Sequence, residues 1–229
     1  HAGYNVCVLN MASRQNPGGG VYGGAGAQEE NLFRRSNLFM SMYQFVGYAP
    51  MYGIQPNDSC RYPLDRNTGG VYSGAVTFFR GSEKKGYALL KQPEVLAVVS
   101  VPAINRPDLV VQKELKRTQD MSGIDSLVWK DVYYIHDSLV EPTKEKIRTI
   151  CRIAGAHGHD CLVLSAFGCG AFGNPPNHVA RLFQEVFEEA EFKNRFRKVV
   201  FAILEDHNSR KLQNPQGNVK PFAEVFGHE

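Results

Sequence analysis

The sequence has no pair of closely spaced cysteines, no long apolar run and no marked excess of charge of either sign. Each absence excludes a class of protein. The five cysteines, Cys7, Cys60, Cys151, Cys161 and Cys169, are odd in number and form no CxxC pair. A disulfide framework is therefore not expected, and buried, reduced thiols of a cytoplasmic or nuclear protein are. The sequence nominates no activating base for any of them, so none is expected to be a nucleophile. No apolar run approaches the ~20 residues that would span a bilayer. Residues 1–12 lack a basic stretch followed by a long apolar one, so no secretory leader is expected. A net charge of +3 over 229 residues favours an anionic ligand mildly and is no nucleic-acid signature. The densest basic cluster, Arg195 to Lys198, is interrupted by Phe196 and reads as a solvated helix end. Repeats, low-complexity segments and linkers are also missing, so residues 1–229 read as one domain, expected to be monomeric.

The remaining pattern is an alternation of strands and helices. Asn5–Leu9 is a short apolar strand, and residues 28–46 carry apolar side chains at three- and four-residue intervals, predicting one helix. Val71–Phe79 alternates like a strand. Val95–Val101 is a continuous apolar run, as in a strand buried on both faces. A helix is predicted over Glu141–His157 with Pro142 in its first turn, where a missing N–H costs nothing. Strand Cys161–Ser165, a helix from about Pro175 to Glu191 and strand Lys198–Leu204 follow. Helices between buried strands predict a three-layer α/β/α sandwich around a mixed, mostly parallel sheet. Trp129, Tyr133 and Tyr134 read as packing residues.

Two glycine loops carry the chemistry. Gly18-Gly19-Gly20 follows the first strand and is separated by seven residues from Gln28-Glu29-Glu30. Glycines let a ligand approach the backbone closely, and the doublet places acid/base groups beside that surface. The second loop, Ser165 to Pro175, contains Gly168, Gly170 and Gly173 as GxGxxG between a strand and a helix. Such backbone amides can cradle a pyrophosphate. A nicotinamide-binding fold fits poorly, because only one strand follows the motif and no acid ends a strand ~20 residues on. A plain tight turn is the other reading of this loop. Taken together, the two loops point to a nucleotide diphosphate lying across strand ends, with the reaction open. His157-Gly158-His159-Asp160 suggests metal ligands, yet its place between a helix and a buried strand suits capping. No metal and no cofactor is expected.

The GGG and QEE elements resemble the signature of the poly(ADP-ribose) glycohydrolases. Asn10 to Ser13, Asn16 to Gly18, Val101 to Asn105, Ala156 to Asp160 and Phe167 to Asn174 resemble the bacterial and fungal branch in particular. The resemblance runs in order from the first residues to Phe226. It implies a macrodomain-like fold and hydrolysis of ribose–ribose O-glycosidic bonds in poly(ADP-ribose), with ADP-ribose as product. Polymer or ADP-ribosylated protein would be the partner, with no membrane and no direct nucleic-acid binding. Glu30 would be the catalytic carboxylate and Glu29 its partner. Gln28, Gly18, Gly19 and Gly20, with Val21 and Tyr22 beside them, would line the substrate, and Asn10 would face the distal ribose. Ser165, Phe167, Gly168, Cys169, Gly170, Ala171 and Phe172 would hold the diphosphate, with Phe172 against that ribose. Ser13 and Asn16 receive no firm role. Microbial members carry a helical segment before the first strand. This sequence opens almost at that strand, which leaves the adenine side open.

The chemistry suits the residues. Glycosidic cleavage needs a proton for the departing hydroxyl and support for an oxocarbenium-like centre. Glu30 would supply the first, then activate water, while the diphosphate supplies the second. A helix start favours ionised carboxylates, so burial and the approaching diphosphate are expected to keep Glu30 protonated when substrate binds. Neighbours on a helix point about 100° apart, so the two glutamates should differ in role. Glu30 is expected to reach the scissile oxygen while Glu29 orders the loop. Two other readings stand beside this one: a hydrolase of mono-ADP-ribosyl linkages, and a non-catalytic ADP-ribose reader. The doublet argues against the reader, since carboxylates repel a phosphate ligand.

Overall fold

The computed structural model describes residues 3–119, 125–205 and 211–227. His207 and His228, for which the sequence offers no pattern, lie outside these residues, as does Asp206. The central sheet is formed by β1 (Val6–Met11), β2 (Val71–Arg80), β3 (Leu89–Val101), β6 (Cys161–Leu164) and β7 (Lys198–Phe201), in the order β2-β3-β1-β6-β7. β3, β1, β6 and β7 run parallel, and β2 is antiparallel to β3. The outer two-stranded sheet pairs β4 (Leu109–Gln119) with β5 (Asp125–Ile135).

Helices cover both faces of the central sheet. Successive strand residues point to opposite faces, and β3 shows the consequence. Val98 joins the core beneath α1 (Gln28–Arg35) and α2 (Leu38–Tyr43), with Leu32, Phe33, Leu38 and Met42. Ala97, Val99 and Val101 join the larger core beneath α3 (Asp137–Ala156), α4 (Pro176–Glu188) and α5 (Val219–Phe226), with Ile147, Ile150, Val179 and Phe183. The expected three-layer sandwich with a mixed sheet is what forms. No helix among the described residues is long and apolar enough to cross a membrane.

Several elements differ from expectation, each for an identifiable reason. The single helix over 28–46 is two. Ser36 is extended (φ −145°, ψ 177°) and bridges Phe78, while Asn37 N–H donates to Thr77 O and its Oδ1 accepts from Thr77 N–H. Pairing with β2 overrides the helical periodicity there. α3 starts at Asp137, so Pro142 lies inside the helix rather than in its first turn. β3 begins six residues early, and its exposed stretch, including Val95, pairs with β2 alone through Arg80↔Leu89. Pro93 sits beside the register shift of that pairing, a place where a strand tolerates proline. The β4–β5 hairpin has no predicted counterpart. Much of both strands is exposed, so no buried face imposes the two-residue alternation that marks a strand. Trp129 is on this hairpin opposite Leu115 and 64% exposed, not a packing residue, whereas Tyr134 is buried. Arg195–Lys198 is no helix end: it connects α4 to β7, with Arg197 paired to Asp160 at 2.8 Å.

Candidate active site

The C-terminal ends of β3 and β1 open onto a cavity of about 580 Å³. Its wall includes Gly19, Gly20, Glu29 and Glu30 on one element pair, and Ala171 and Phe172 on another. The triple glycine folds tightly: Gly19 N–H donates to Asn16 O and Val21 N–H to Gly18 O. Gly18 and Gly19 both take positive φ, +80° and +55°. A Cβ at Gly18 would overlap the Phe33 ring, and one at Gly19 would lie 2.5 Å from Glu30 Oε1 and 3.0 Å from Glu29 Oε2. Glycine is therefore required for the loop's shape and for the approach of the two carboxylates.

Those carboxylates start α1, which has no side-chain cap. Both are buried, Glu29 at 3% and Glu30 at 7% exposure. Glu29 uses both oxygens within the protein. Ser13 N–H donates to Oε2 at 2.7 Å, and Gly18 N–H to Oε1 at 3.1 Å. Asn10 Nδ2 adds a longer contact to Oε1 at 3.4 Å. Glu29 thus ties together the two ends of the 13–18 loop. Glu30 is held by one oxygen only: Gly20 N–H donates to Oε1 at 2.8 Å, and Oε2 has no hydrogen-bond partner among the described residues. Burial pushes the Glu29 carboxyl up to about 7. The N–H groups of Ser13, Gly18 and Asn10 oppose that rise, and the Glu30 charge adds to it. The two carboxylates differ in hydrogen bonding rather than in the space they face, since both line one cavity.

Other expected site residues take supporting places. Gln28 does not line the cavity: its Oε1 accepts from Met11 N–H at 2.7 Å and its Nε2 donates to Leu9 O at 2.6 Å, latching the helix start to β1. Asn10 is fully buried and donates to Ser100 Oγ at 3.0 Å, with its own Oδ1 unpaired among the described residues. Val21 is half-buried against the second core. Tyr22, 73% exposed, is not on the cavity wall; its hydroxyl shares hydrogen bonds with those of Tyr52 at 2.6 Å and Tyr43 at 3.2 Å. In the second glycine loop only Ala171 and Phe172 reach the cavity. Phe167 and Cys169 point into the core, and Ser165 Oγ donates to Ala202 O. Gly168 is crowded by Asn174 and Ala103 rather than left open to a ligand, and Gly170 is not on the wall.

The histidine cluster is structural. His157 ends α3, Gly158 takes φ +76°, and His159 N–H donates back to Ala154 O. Asp160 Oδ1 accepts from Asn5 N–H at 2.7 Å, and His159 Nε2 is 2.8 Å from Tyr72 Oη.

The family model for the catalytic domain of microbial-type poly(ADP-ribose) glycohydrolase (PARG) matches residues 1–81, which hold β1, the triple glycine and the doublet. The fold is similar to PARG of Thermomonospora curvata, at 28% identity and a TM-score of 0.66 over 98% of this chain and 69% of that one. The chain is thus similar to the microbial-type PARGs in its first 81 residues and in its fold. The Thermomonospora curvata enzyme bound to the inhibitor ADP-HPD matches at 29% identity and a TM-score of 0.67, over 98% and 71% of the two chains. Deinococcus radiodurans PARG in complex with ADP-ribose matches at 26% and 0.62, over 97% and 75%. No curated protein matches. Among the wall residues that sequence reasoning missed are its three cations, Arg14, Arg66 and Lys146. The signal for the last was present: Lys146 falls on the same helix face as the apolar Ile147, Ile150 and Ala154 of α3.

Proposed function

We propose that this chain hydrolyses the ribose–ribose O-glycosidic bonds of poly(ADP-ribose), releasing ADP-ribose, with Glu30 as general acid and then general base. The observation that carries the reading is Glu30 Oε2, a buried oxygen without a partner among the described residues, on a side chain that lines the cavity. An unsatisfied buried oxygen costs roughly 1–3 kcal/mol. A ribose oxygen delivered there would be its partner.

Gly20 N–H fixes Oε1, leaving Oε2 to give its proton to the departing ribose oxygen as the anomeric C–O bond breaks. The ionised Glu30 then takes a proton from water as the water oxygen bonds to the anomeric carbon, which restores the acid. The substrate's own diphosphate, folded near the cationic centre, stabilises it. Glu29 is a positioning residue, since its oxygens are engaged by Ser13 and Gly18. Gly19, Gly20, Ala171 and Phe172 form the substrate wall, and Asn10, Gln28 and Gly18 support it from behind. We read the whole chain as one catalytic domain.

The test is to incubate the protein with polymer-modified and mono-modified acceptors and identify the products. Free ADP-ribose from polymer with a mono-modified stub left behind is expected. Removal of the last unit from mono-modified protein would favour the broader ADP-ribose hydrolase. Glu30→Gln should bind ADP-ribose and lose turnover; a variant that still degraded polymer would sink the assignment of Glu30.

A further inference from the structure

The cavity that holds the glutamates also carries charges that the proposed reaction does not use. Arg14 comes from the loop after β1, Arg66 from the segment 61–70, and Lys146 from the third turn of α3; all three line the wall. Lys146 is the informative member. It is 3% exposed, yet it makes no hydrogen bond or ion pair among the described residues. The acid nearest in charge, Asp65, is exposed, and its Oδ1 accepts from Asn67 N–H, Thr68 N–H and Thr68 Oγ1–H. Desolvation pulls the Lys146 ammonium down to about 8; Asp65 opposes this, and the charges of Arg14 and Arg66 add to it.

An almost wholly buried lysine that lines a cavity and has no paired anion is a desolvated charge left uncompensated. An apolar residue would serve α3 better, as Ile147 and Ile150 do beside it. Three cations converging on one corner also repel each other unless an anion enters. The required anion must be compact, multiply charged and able to reach a cavity wall. Within an ADP-ribose chain, the only such group is the pyrophosphate that recurs in every unit. Backbone amides can cradle one such group, and cations on the same wall offset the repulsion between the two glutamates and a chain of dianions.

We propose that Lys146, with Arg14 and Arg66, forms an anion subsite that takes a pyrophosphate of the ADP-ribose chain. This rests on the reading of the cavity as an ADP-ribose site and names the contact that compensates its acids. The pyrophosphate belongs either to the unit being released or to its neighbour in the polymer, and the two are separable by experiment.

Lys146→Met in the full chain is the variant to measure, by thermal unfolding, by calorimetric titration with ADP-ribose, and by polymer kinetics. The melting temperature is expected to hold or rise, because an unpaired buried charge is removed. The KM for polymer is expected to rise roughly tenfold or more, as for the loss of one partner of a desolvated charge pair. If ADP-ribose affinity falls in parallel, the subsite holds the released unit; if that affinity is unchanged, it holds the neighbour. Lys146→Arg should recover most of the loss. A lower melting temperature with wild-type affinity and wild-type KM would make Lys146 a structural residue and overturn the proposal. Should Lys146→Met not fold, the double substitution Arg14→Gln, Arg66→Gln carries the same readouts, and wild-type values there would also overturn it. Wild-type protein that binds ADP-ribose but leaves polymer intact would instead refute the glycohydrolase reading and leave the subsite testable by titration.

Discussion

Gly19→Ala probes the tightest contact in the site. The new Cβ would lie 2.5 Å from Glu30 Oε1, where ordinary contact begins near 3.4 Å, so the carboxylate or the loop must yield by about 0.9 Å. Glu30 Oε1 is held at 2.8 Å by Gly20 N–H, and Glu29 Oε2 lies only 3.0 Å from the same Cβ. The displacement therefore falls on the bond that aims Oε2. A misplacement of about 1 Å at a reacting group costs on the order of 10²-fold in rate, or about 2.7 kcal/mol of transition-state stabilisation. The φ of +55° adds roughly 1–2 kcal/mol of strain to the folded state for a residue bearing a Cβ. Gly20→Ala is the control. Its φ is −96°, and its Cβ would lie 3.7 Å from Glu30 Oε1, with the close contact falling on Ala25 instead. Steady-state kinetics on polymer, paired with thermal unfolding, separates the two effects. Gly19→Ala should lose about two orders of magnitude in kcat while remaining folded, and Gly20→Ala should lose far less. A Gly19→Ala enzyme with wild-type kcat would show that Glu30 needs no such placement.

Two further perturbations test the surroundings of the site. The Glu29 carboxyl, near 7 when folded against 4.5 in the unfolded chain, binds a proton in the native state that the unfolded state lacks between those values. Stability should therefore fall as pH rises through that window, by at most about 3 kcal/mol. Glu29→Gln should flatten the slope in urea unfolding between pH 5 and pH 8, and an unchanged slope would remove Glu29 as its cause. Trp129 is the only tryptophan and is largely exposed, so its fluorescence should be that of a solvated indole in the folded protein and change little on unfolding. Trp129→Ala should shift stability by no more than about 0.5 kcal/mol; a larger loss would mean the hairpin is held by contacts this ring makes.

What could be read from the sequence depended on range. The triple glycine and the doublet are 13 residues from end to end, and their local requirements, positive φ and close approach, are written in residue type. The parallel strands were readable because burial on both faces leaves a nearly continuous apolar run, as in Ala97–Val101, where only Ser100 is polar. The hairpin was not, because its strands face solvent and carry lysine, arginine and glutamate among the apolar residues. The break at Ser36–Asn37 was hidden as well: its cause is a partner strand some forty residues away. The role expected of Gln28 failed for a related reason, since residue type marks it as polar but only the fold shows both ends of its amide committed to β1.

The doublet shows the same limit at the scale of single atoms. From helical geometry alone, two adjacent glutamates differ by about 100° of direction, which predicts that their roles differ but not what sets the difference. Both are inside, and what separates them is how many donors the loop offers each. The loop turns Ser13 N–H and Gly18 N–H onto Glu29 and leaves only Gly20 N–H for Glu30. One oxygen is thereby left over, and it belongs to Glu30. The same glycines that bring the loop within 3 Å of the acids thus determine which acid retains a free oxygen. A change in the loop's N–H groups, rather than in either glutamate, should be able to move the reactive role between them.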